Sequence, residues 1–273
     1  MKWLKRIVLG LLAIILLTVA VVWVWGGMII GKKFTPVERN VMTSSRPEII
    51  ERGRRLAQVY GCYGGCHAQD MEGQVFFEGF VIGKIIAPNL TTAMDHYTRS
   101  ELEAIIRQGV KPDGSSVLIM PSEAFAIMTD RDFSAVLSFI ESYPKQELDL
   151  GPSNFGLLPR FGLIVGMFEL SAELVEHEPW EPDVLTDPIK LGEYLAINAC
   201  SECHGLDLEG NEGFSPDLQI AKGYTEADFK KLMSTGIGIG ERDLGLMSLV
   251  ANSRFKNMTE EEVEALHQFL LSR

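Results

Sequence analysis

The longest apolar stretch of the chain is an uncharged run from Ile7 to Ile30. Its 24 residues are enough to cross the hydrocarbon core of a bilayer as one helix. The run is preceded by three cations, Lys2, Lys5 and Arg6. Trp23 and Trp25 lie near its end, where an aromatic belt forms at a membrane interface. We therefore predict an uncleaved membrane anchor over residues 1–31, with its amino terminus inside.

A cleaved signal peptide is the alternative for this segment. Such a peptide has a shorter apolar core and ends at a small-residue cleavage site. No clear site of that kind closes the run. Lys32 and Lys33, just beyond it, weaken the charge asymmetry that would orient an anchor.

Beyond the anchor, apolar residues recur every three to four positions, which is the period of an α-helix. The pattern is clearest in two stretches, at Phe133, Val136, Leu137 and Ile140 and at Val263, Leu266, Phe269 and Leu270. Each stretch follows a threonine, a residue type that commonly begins helices. No alternating strand pattern stands out. The predicted fold class is therefore all-α.

Further helices are predicted at about 47–61 and 188–199. Two more are predicted to begin at Thr98 and Thr225 and to end before the glycines Gly109 and Gly236, because glycine often terminates a helix.

The soluble part of the chain is an internal duplication. Matching segments follow one another in the same order in both copies, among them Asp70-Met-Glu-Gly73 with Asp207-Leu-Glu-Gly210, and Pro88-Asn-Leu90 with Pro216-Asp-Leu218. A repeat of this length indicates two copies of one domain. The predicted boundaries are 46–146 for the first domain and 187–273 for the second.

Residues 147–186 are predicted to form a linker rich in prolines. Within it lies an apolar stretch from Phe155 to Leu170, too short and too interrupted to cross a membrane. Two interpretations stay open: the stretch packs between the domains, or it presents a face to the bilayer or to a partner subunit.

Candidate chemistry comes from four cysteines. Cys200 and Cys203 are followed by His204, and this C-x-x-C-H spacing is the pattern for covalent attachment of haem c. Positions i and i+3 share a helical face, so both thiols can reach one porphyrin edge while the histidine binds the iron.

Cys62 and Cys66 precede His67 with one additional residue between the cysteines. Positions i and i+4 also share a helical face, and the Gly64-Gly65 pair would let the turn adapt. A zinc site or a disulfide is the alternative, although zinc-binding cysteine pairs are usually close in sequence. The prediction is two covalently bound haem c groups, with His67 and His204 as iron ligands.

The second iron ligand determines the chemistry of a haem. Met120, before Pro121, and Met247 lie in equivalent loops between the second and third helices of each copy. We predict these two methionines as the remaining ligands. Met128 and Met258 occupy matched positions before the third helix and are predicted to fill the core.

The net charge of −12 and the pI near 4.9 disfavour nucleic acid as a partner, because phosphates require a basic surface. An acidic surface is compatible with docking to a basic patch on a redox protein.

These motifs resemble the class I cytochrome c family, in particular membrane-anchored dihaem cytochromes c, including the cytochrome subunits of bacterial periplasmic dehydrogenases. The resemblance covers about 46–146 and 187–273. It implies His/Met ligation and attachment of haem outside the cytoplasmic membrane, so that a single-pass anchor in the inner membrane holds both domains in the periplasm. It also implies that a glycine on the first helix of each copy packs against an aromatic residue of the last, Gly53 with Phe139 and Gly192 with Phe269.

The resemblance further implies electron transfer between protein partners, such as a dehydrogenase, an oxidase or a bc-type complex. The function expected is a relay of single electrons without catalysis of its own. One alternative is a dihaem enzyme such as a cytochrome c peroxidase, which requires an open iron site. Another is a haem-based sensor, which would be expected to continue into a signalling domain.

Overall fold

A long amino-terminal helix precedes a helical body in the computed structural model of the protein, which describes residues 2–273. The helices are α1 Lys2–Ile30, α2 Pro47–Val59, α3 Ala93–His96, α4 Arg99–Gln108, α5 Ser122–Phe125, α6 Asp130–Ser142, α7 Leu157–Ile164, α8 Ser171–Leu174, α9 Pro188–His204, α10 Glu226–Thr235, α11 Leu246–Ser253 and α12 Glu260–Ser272. Helix accounts for 54% of the chain, so the expectation of a helical fold holds in its main part.

The structure also contains sheet, which the all-α prediction did not include. Three antiparallel strands in the order β1–β2–β3 are Gln74–Gly79, Gly83–Ala87 and Asn154–Phe155. A short pair, β4 Ile237–Gly238 and β5 Arg242–Asp243, lies in the second copy. The sequence prediction missed β1 and β2 because both are mostly apolar, without the polar alternation by which a half-buried strand is recognised.

The same helix order recurs in both copies, as α2–α4–α6 and α9–α10–α12. Thr98 caps α4 in a capping box with Glu101, and Thr225 caps α10. The two helices end at Gly109 and Gly236, whose φ angles of 69° and 76° lie in the left-handed region. The predicted starts and ends of these helices are confirmed.

The first and last helices of each copy cross at a glycine. A Cβ atom at Gly53 would lie 1.9 Å from the Ala135 carbonyl oxygen and 3.0 Å from the Phe139 Cβ. At Gly192 it would lie 2.1 Å from the Ala265 carbonyl oxygen and 2.6 Å from the Cβ of the aromatic residue on α12. Because only glycine allows so close an approach, the glycine–aromatic contacts implied by the family resemblance are confirmed.

One hydrophobic core extends through both copies and includes Leu56, Phe133, Ala196 and Leu266. Polar contacts reinforce the junction between them. The buried Tyr194 hydroxyl of α9 donates to Asp132 of α6 at 3.0 Å, and Arg55 of α2 pairs with Glu262 of α12 at 2.6 Å. The two copies therefore hold each other in a defined orientation.

The segment between the copies packs against the end of the amino-terminal helix. Arg160 of α7 donates to the Trp23 carbonyl oxygen at 3.2 Å, and its guanidinium lies 4.3 Å from the centre of the Trp23 ring. The backbone of Gly26 is buried against Arg160. Helix α1 is long and apolar enough to cross a membrane.

Candidate functional site

The second cysteine motif forms the last turn of a helix. α9 was expected to end near residue 199, but it continues through His204 and ends at Gly205. Cys200 and Cys203 are thus one helical turn apart and share a face, as their spacing predicted. Their thiols are free and partly exposed.

The first motif lies outside a helix, contrary to the expectation that Cys62 and Cys66 share a helical face. α2 ends at Val59, and the Cys66 amide donates to the Gly61 carbonyl oxygen at 2.7 Å, which closes a turn one residue wider than that of an α-helix. Gly64 has a φ of 69°, which confirms the expected use of glycine freedom.

Gly65 also makes this wide turn possible. A Cβ atom at Gly65 would lie 2.6 Å from the Gly61 carbonyl oxygen. The extra residue in the motif is therefore accommodated by glycine backbone, and the thiols of Cys62 and Cys66 stay free.

Each motif histidine is held by the carbonyl oxygen of a proline. His67 Nδ1 lies 2.8 Å from the Pro88 carbonyl oxygen, and His204 Nδ1 lies 2.8 Å from that of Pro216. A ring nitrogen that donates to a carbonyl leaves the neutral Nε2 as the metal-binding atom. Burial lowers the pKa of His67, which favours the neutral ring. This donor set fits a haem iron in both copies.

The sequence prediction missed the two prolines as orienting residues. Their signal was present, because Pro88 and Pro216 begin matched segments of the duplication. Proline lacks an amide hydrogen, but its carbonyl oxygen remains a hydrogen-bond acceptor.

The two candidate methionine ligands lie in different local structures. Met120 is in an irregular segment, where its carbonyl oxygen accepts from Ser171 Oγ at 2.8 Å, whereas Met247 is the second residue of α11. Both side chains are partly buried against the shared core. Their role as ligands stays a prediction. Met128 and Met258 are buried core residues, as expected.

The arrangement of the cysteines does not match a zinc site. Within residues 2–273, no group of three or more His, Cys, Asp or Glu side chains could hold a metal ion. Burial raises the pKa of Cys62 to about 11 and that of Cys200 to about 12.

The two cysteine motifs meet at one ion pair. Glu202, between the cysteines of the second motif, accepts a hydrogen bond from Arg254 Nη1 at 2.9 Å. Its other carboxylate oxygen lies 3.8 Å from Cys66 Sγ of the first motif. Arg254 is 8% exposed and also donates to the Val59 carbonyl oxygen at 3.1 Å. We call these contacts the Glu202–Arg254 junction.

Sequence reasoning missed this junction. Arg254 has no counterpart in the first copy, where alignment on Met128 and Met258 places Ala124 at that position. The duplication therefore gave no signal for it.

Comparison with known proteins gives a family and two relatives. The family model for Cytochrome c matches residues 50–144 and 189–273. The cytochrome c subunits of the quinone alcohol dehydrogenases of Gluconacetobacter polyoxogenes and Komagataeibacter europaeus are each 27% identical to the chain over 169 residues. The match covers 57% of this chain and 36% of each relative, so it spans about a third of the relatives' length.

Proposed function

The chain belongs to the cytochrome c family, and from this premise we propose that it is a membrane-anchored dihaem cytochrome that relays single electrons between redox proteins. The haem-binding domains would be residues 46–146 and 187–273, joined by the linker 147–186. When bound, each haem supplies an iron centre that changes by one electron.

Each copy would hold its haem through matched groups. Two cysteines would form the thioether bonds, and one histidine and one methionine would bind the iron. In the first copy these are Cys62, Cys66, His67 and Met120, and in the second Cys200, Cys203, His204 and Met247. The proline carbonyls fix the orientation of the histidine rings, which gives each iron a ligand in a defined position.

The Glu202–Arg254 junction is the observation that gives the main support to an electron relay between two haems. Because Cys66 Sγ lies 3.8 Å from a side chain of the other motif, the points at which the two haems would be tethered are adjacent. Two redox centres tethered side by side on one core can exchange electrons without the protein changing its shape.

The location and the partner are also part of this proposal. α1 would remain as an anchor in the inner membrane, with both domains on the periplasmic side. The two similar proteins are cytochrome c subunits of quinone alcohol dehydrogenases, which supports a dehydrogenase as the electron donor. An oxidase or a bc-type complex could accept the electrons.

Intact mass spectrometry of the natively matured chain tests the proposal. The expected result is two covalent haem increments on the full chain. C62A/C66A and C200A/C203A serve as matched variants, each of which should lose one increment. A single increment on the unmodified chain would overturn the dihaem assignment, and a colourless protein would overturn the function.

Resonance Raman spectroscopy separates the relay from the peroxidase alternative. Two six-coordinate low-spin haems are expected if both methionines are ligands. A five-coordinate high-spin haem would instead support the enzyme.

A further inference from the structure

The first copy carries an exposed apolar hairpin formed by β1 and β2. Phe77 is 54% exposed, Val81 is 49% exposed and Phe80, in the turn, is fully exposed. Turns usually carry glycine, asparagine, aspartate or serine at their tips, and an aromatic residue in that place leaves a large apolar surface in contact with water. Glu78 is the only charged residue from Gln74 to Gly83.

The second copy has no equivalent of this hairpin. His67 and Pro88 are 21 positions apart, whereas His204 and Pro216 are 12 apart. Both histidines bind their prolines in the same way. The additional residues are therefore not needed to orient the histidine, and another role must account for them.

The hairpin is hydrogen-bonded to the strand before α7 and to the first turn of α7 itself. Strand β3 pairs with β2, and the amides of Gly156 and Leu158 donate to the carbonyl oxygens of Ile82 and Val81 at 2.8 and 2.9 Å. α7 and the turn after it also expose apolar side chains, Leu158, Phe161, Val165 and Met167. We call the tip of the hairpin together with this segment the hairpin–α7 face.

The contacts of α7 with the anchor place this face at the level of a membrane interface. About 20 helical residues cross the ~30 Å hydrocarbon core of a bilayer, so a span that begins at Ile7 ends near Gly26. Arg160 contacts Trp23 and Gly26, at that boundary. Aromatic rings and a long cationic side chain are typical of the interfacial region.

From these observations we propose that the hairpin–α7 face inserts into the lipid headgroup–acyl boundary beside the anchor. The inference rests on the proposed anchor, because the lipid that surrounds α1 is continuous with the lipid that would cover the face. Apolar area of this kind binds membranes in proportion to the area buried.

Membrane contact here would also position the first haem site. Gln74, at the base of the hairpin, donates to the carbonyl oxygens of Gly65 and Cys66 at 2.8 and 2.9 Å. Insertion of the hairpin would therefore fix the distance and the tilt of the first cysteine motif relative to the bilayer. The second motif has no such connection, because its corresponding contact comes from Asn211 of the shorter loop.

Spin labelling of the haem-loaded full chain in phosphatidylcholine–phosphatidylglycerol nanodiscs tests this proposal. Single variants F80C and F161C carry a nitroxide, and electron paramagnetic resonance power saturation compares access by lipid-soluble oxygen and by a water-soluble nickel chelate. L16C in the anchor is the positive control. F214C is the matched control, since Phe214 is 63% exposed in the shorter loop of the second copy. The haem increments of each variant are checked by mass.

The expected result is that labels at positions 80 and 161 are protected from the nickel chelate and accessible to oxygen. Their ratio of oxygen to nickel accessibility should lie between the ratios measured at positions 16 and 214. If the label at position 80 is as accessible to nickel as that at position 214 while the label at position 16 is in lipid, the proposed membrane contact of the hairpin–α7 face is overturned and the proposed anchor stands. An aqueous label at 16 would overturn both. Loss of oxygen access at 80 in native membranes would show that a protein covers the face, which would overturn lipid as its occupant.

Discussion

Replacement of Arg254 by glutamine perturbs the point at which the two cysteine motifs meet. The Arg254 side chain is 10% exposed and that of Glu202 is 34% exposed. Loss of a charged donor leaves the buried Val59 carbonyl oxygen without its partner, which costs about 1.5–3 kcal/mol. Water can reach Glu202, so loss of the ion pair adds only about 0.5–1 kcal/mol. R254Q should therefore lower the free energy of unfolding by about 2–4 kcal/mol.

The same substitution has an electrostatic consequence for the proposed haems. A cation stabilises the reduced, less positive iron site, and Arg254 lies beside both motifs. R254Q should lower both reduction potentials. R254Q/E202Q restores the local net charge, so its potentials should return towards those of the unmodified protein.

Denaturant unfolding of the haem-loaded protein and potentiometric titration measure these two effects. K256Q is the matched control, because Lys256 is an exposed cation two residues away and its loss should change stability by less than about 0.5 kcal/mol. The reasoning is refuted if R254Q unfolds within about 0.5 kcal/mol of the unmodified protein. It is also refuted if only one potential moves.

Three further predictions follow from local geometry. G65A should reduce haem loading of the first motif only, measured by intact mass, because the new Cβ would lie 2.6 Å from the Gly61 carbonyl oxygen. M120A and M247A should each remove about half of the near-infrared sulfur-to-iron absorption of the oxidised protein, since each would remove one of two thioether ligands. G192A should lower the free energy of unfolding by about 1–3 kcal/mol in a denaturant titration, because it forces two helices apart.

Controls for these substitutions are available within the chain. A Cβ atom at Gly223 would meet nothing within 4 Å, so G223A should leave both haem loading and unfolding close to those of the unmodified protein. Unchanged loading in G65A would mean that the wide turn is not needed for attachment. An undiminished band in M120A or M247A would remove that methionine from the ligand set.

The repeated helices could be predicted because their signals are local. Thr98 and Gly109 bound α4, and Thr225 and Gly236 bound α10, as their capping preferences indicated. The crossing of α2 with α6 at Gly53 followed from the family resemblance. The cysteine motifs themselves identified the residues of the candidate sites.

The remaining features depend on contacts between residues far apart in sequence. The hairpin was missed because its apolar strands are stabilised by pairing with each other and with β3, some 70 residues away. Arg254 was missed because its partners, Val59 and Glu202, become neighbours only when the two copies share one core. Arg254 has no counterpart in the first copy, and the longer spacing from His67 to Pro88 reveals inserted residues there but not that they form strands.

The glycine before the first motif leaves space for an arginine of the second copy. A Cβ atom at Gly61 would lie 2.8 Å from the Arg254 guanidinium carbon, and the equivalent position in the second copy is Ala199. Only the first motif has to leave room for a side chain from the neighbouring copy, and it does so with a glycine-rich turn outside the helix. Glycine at position 61, directly before Cys62, is thus explained by the packing of two duplicated units against each other.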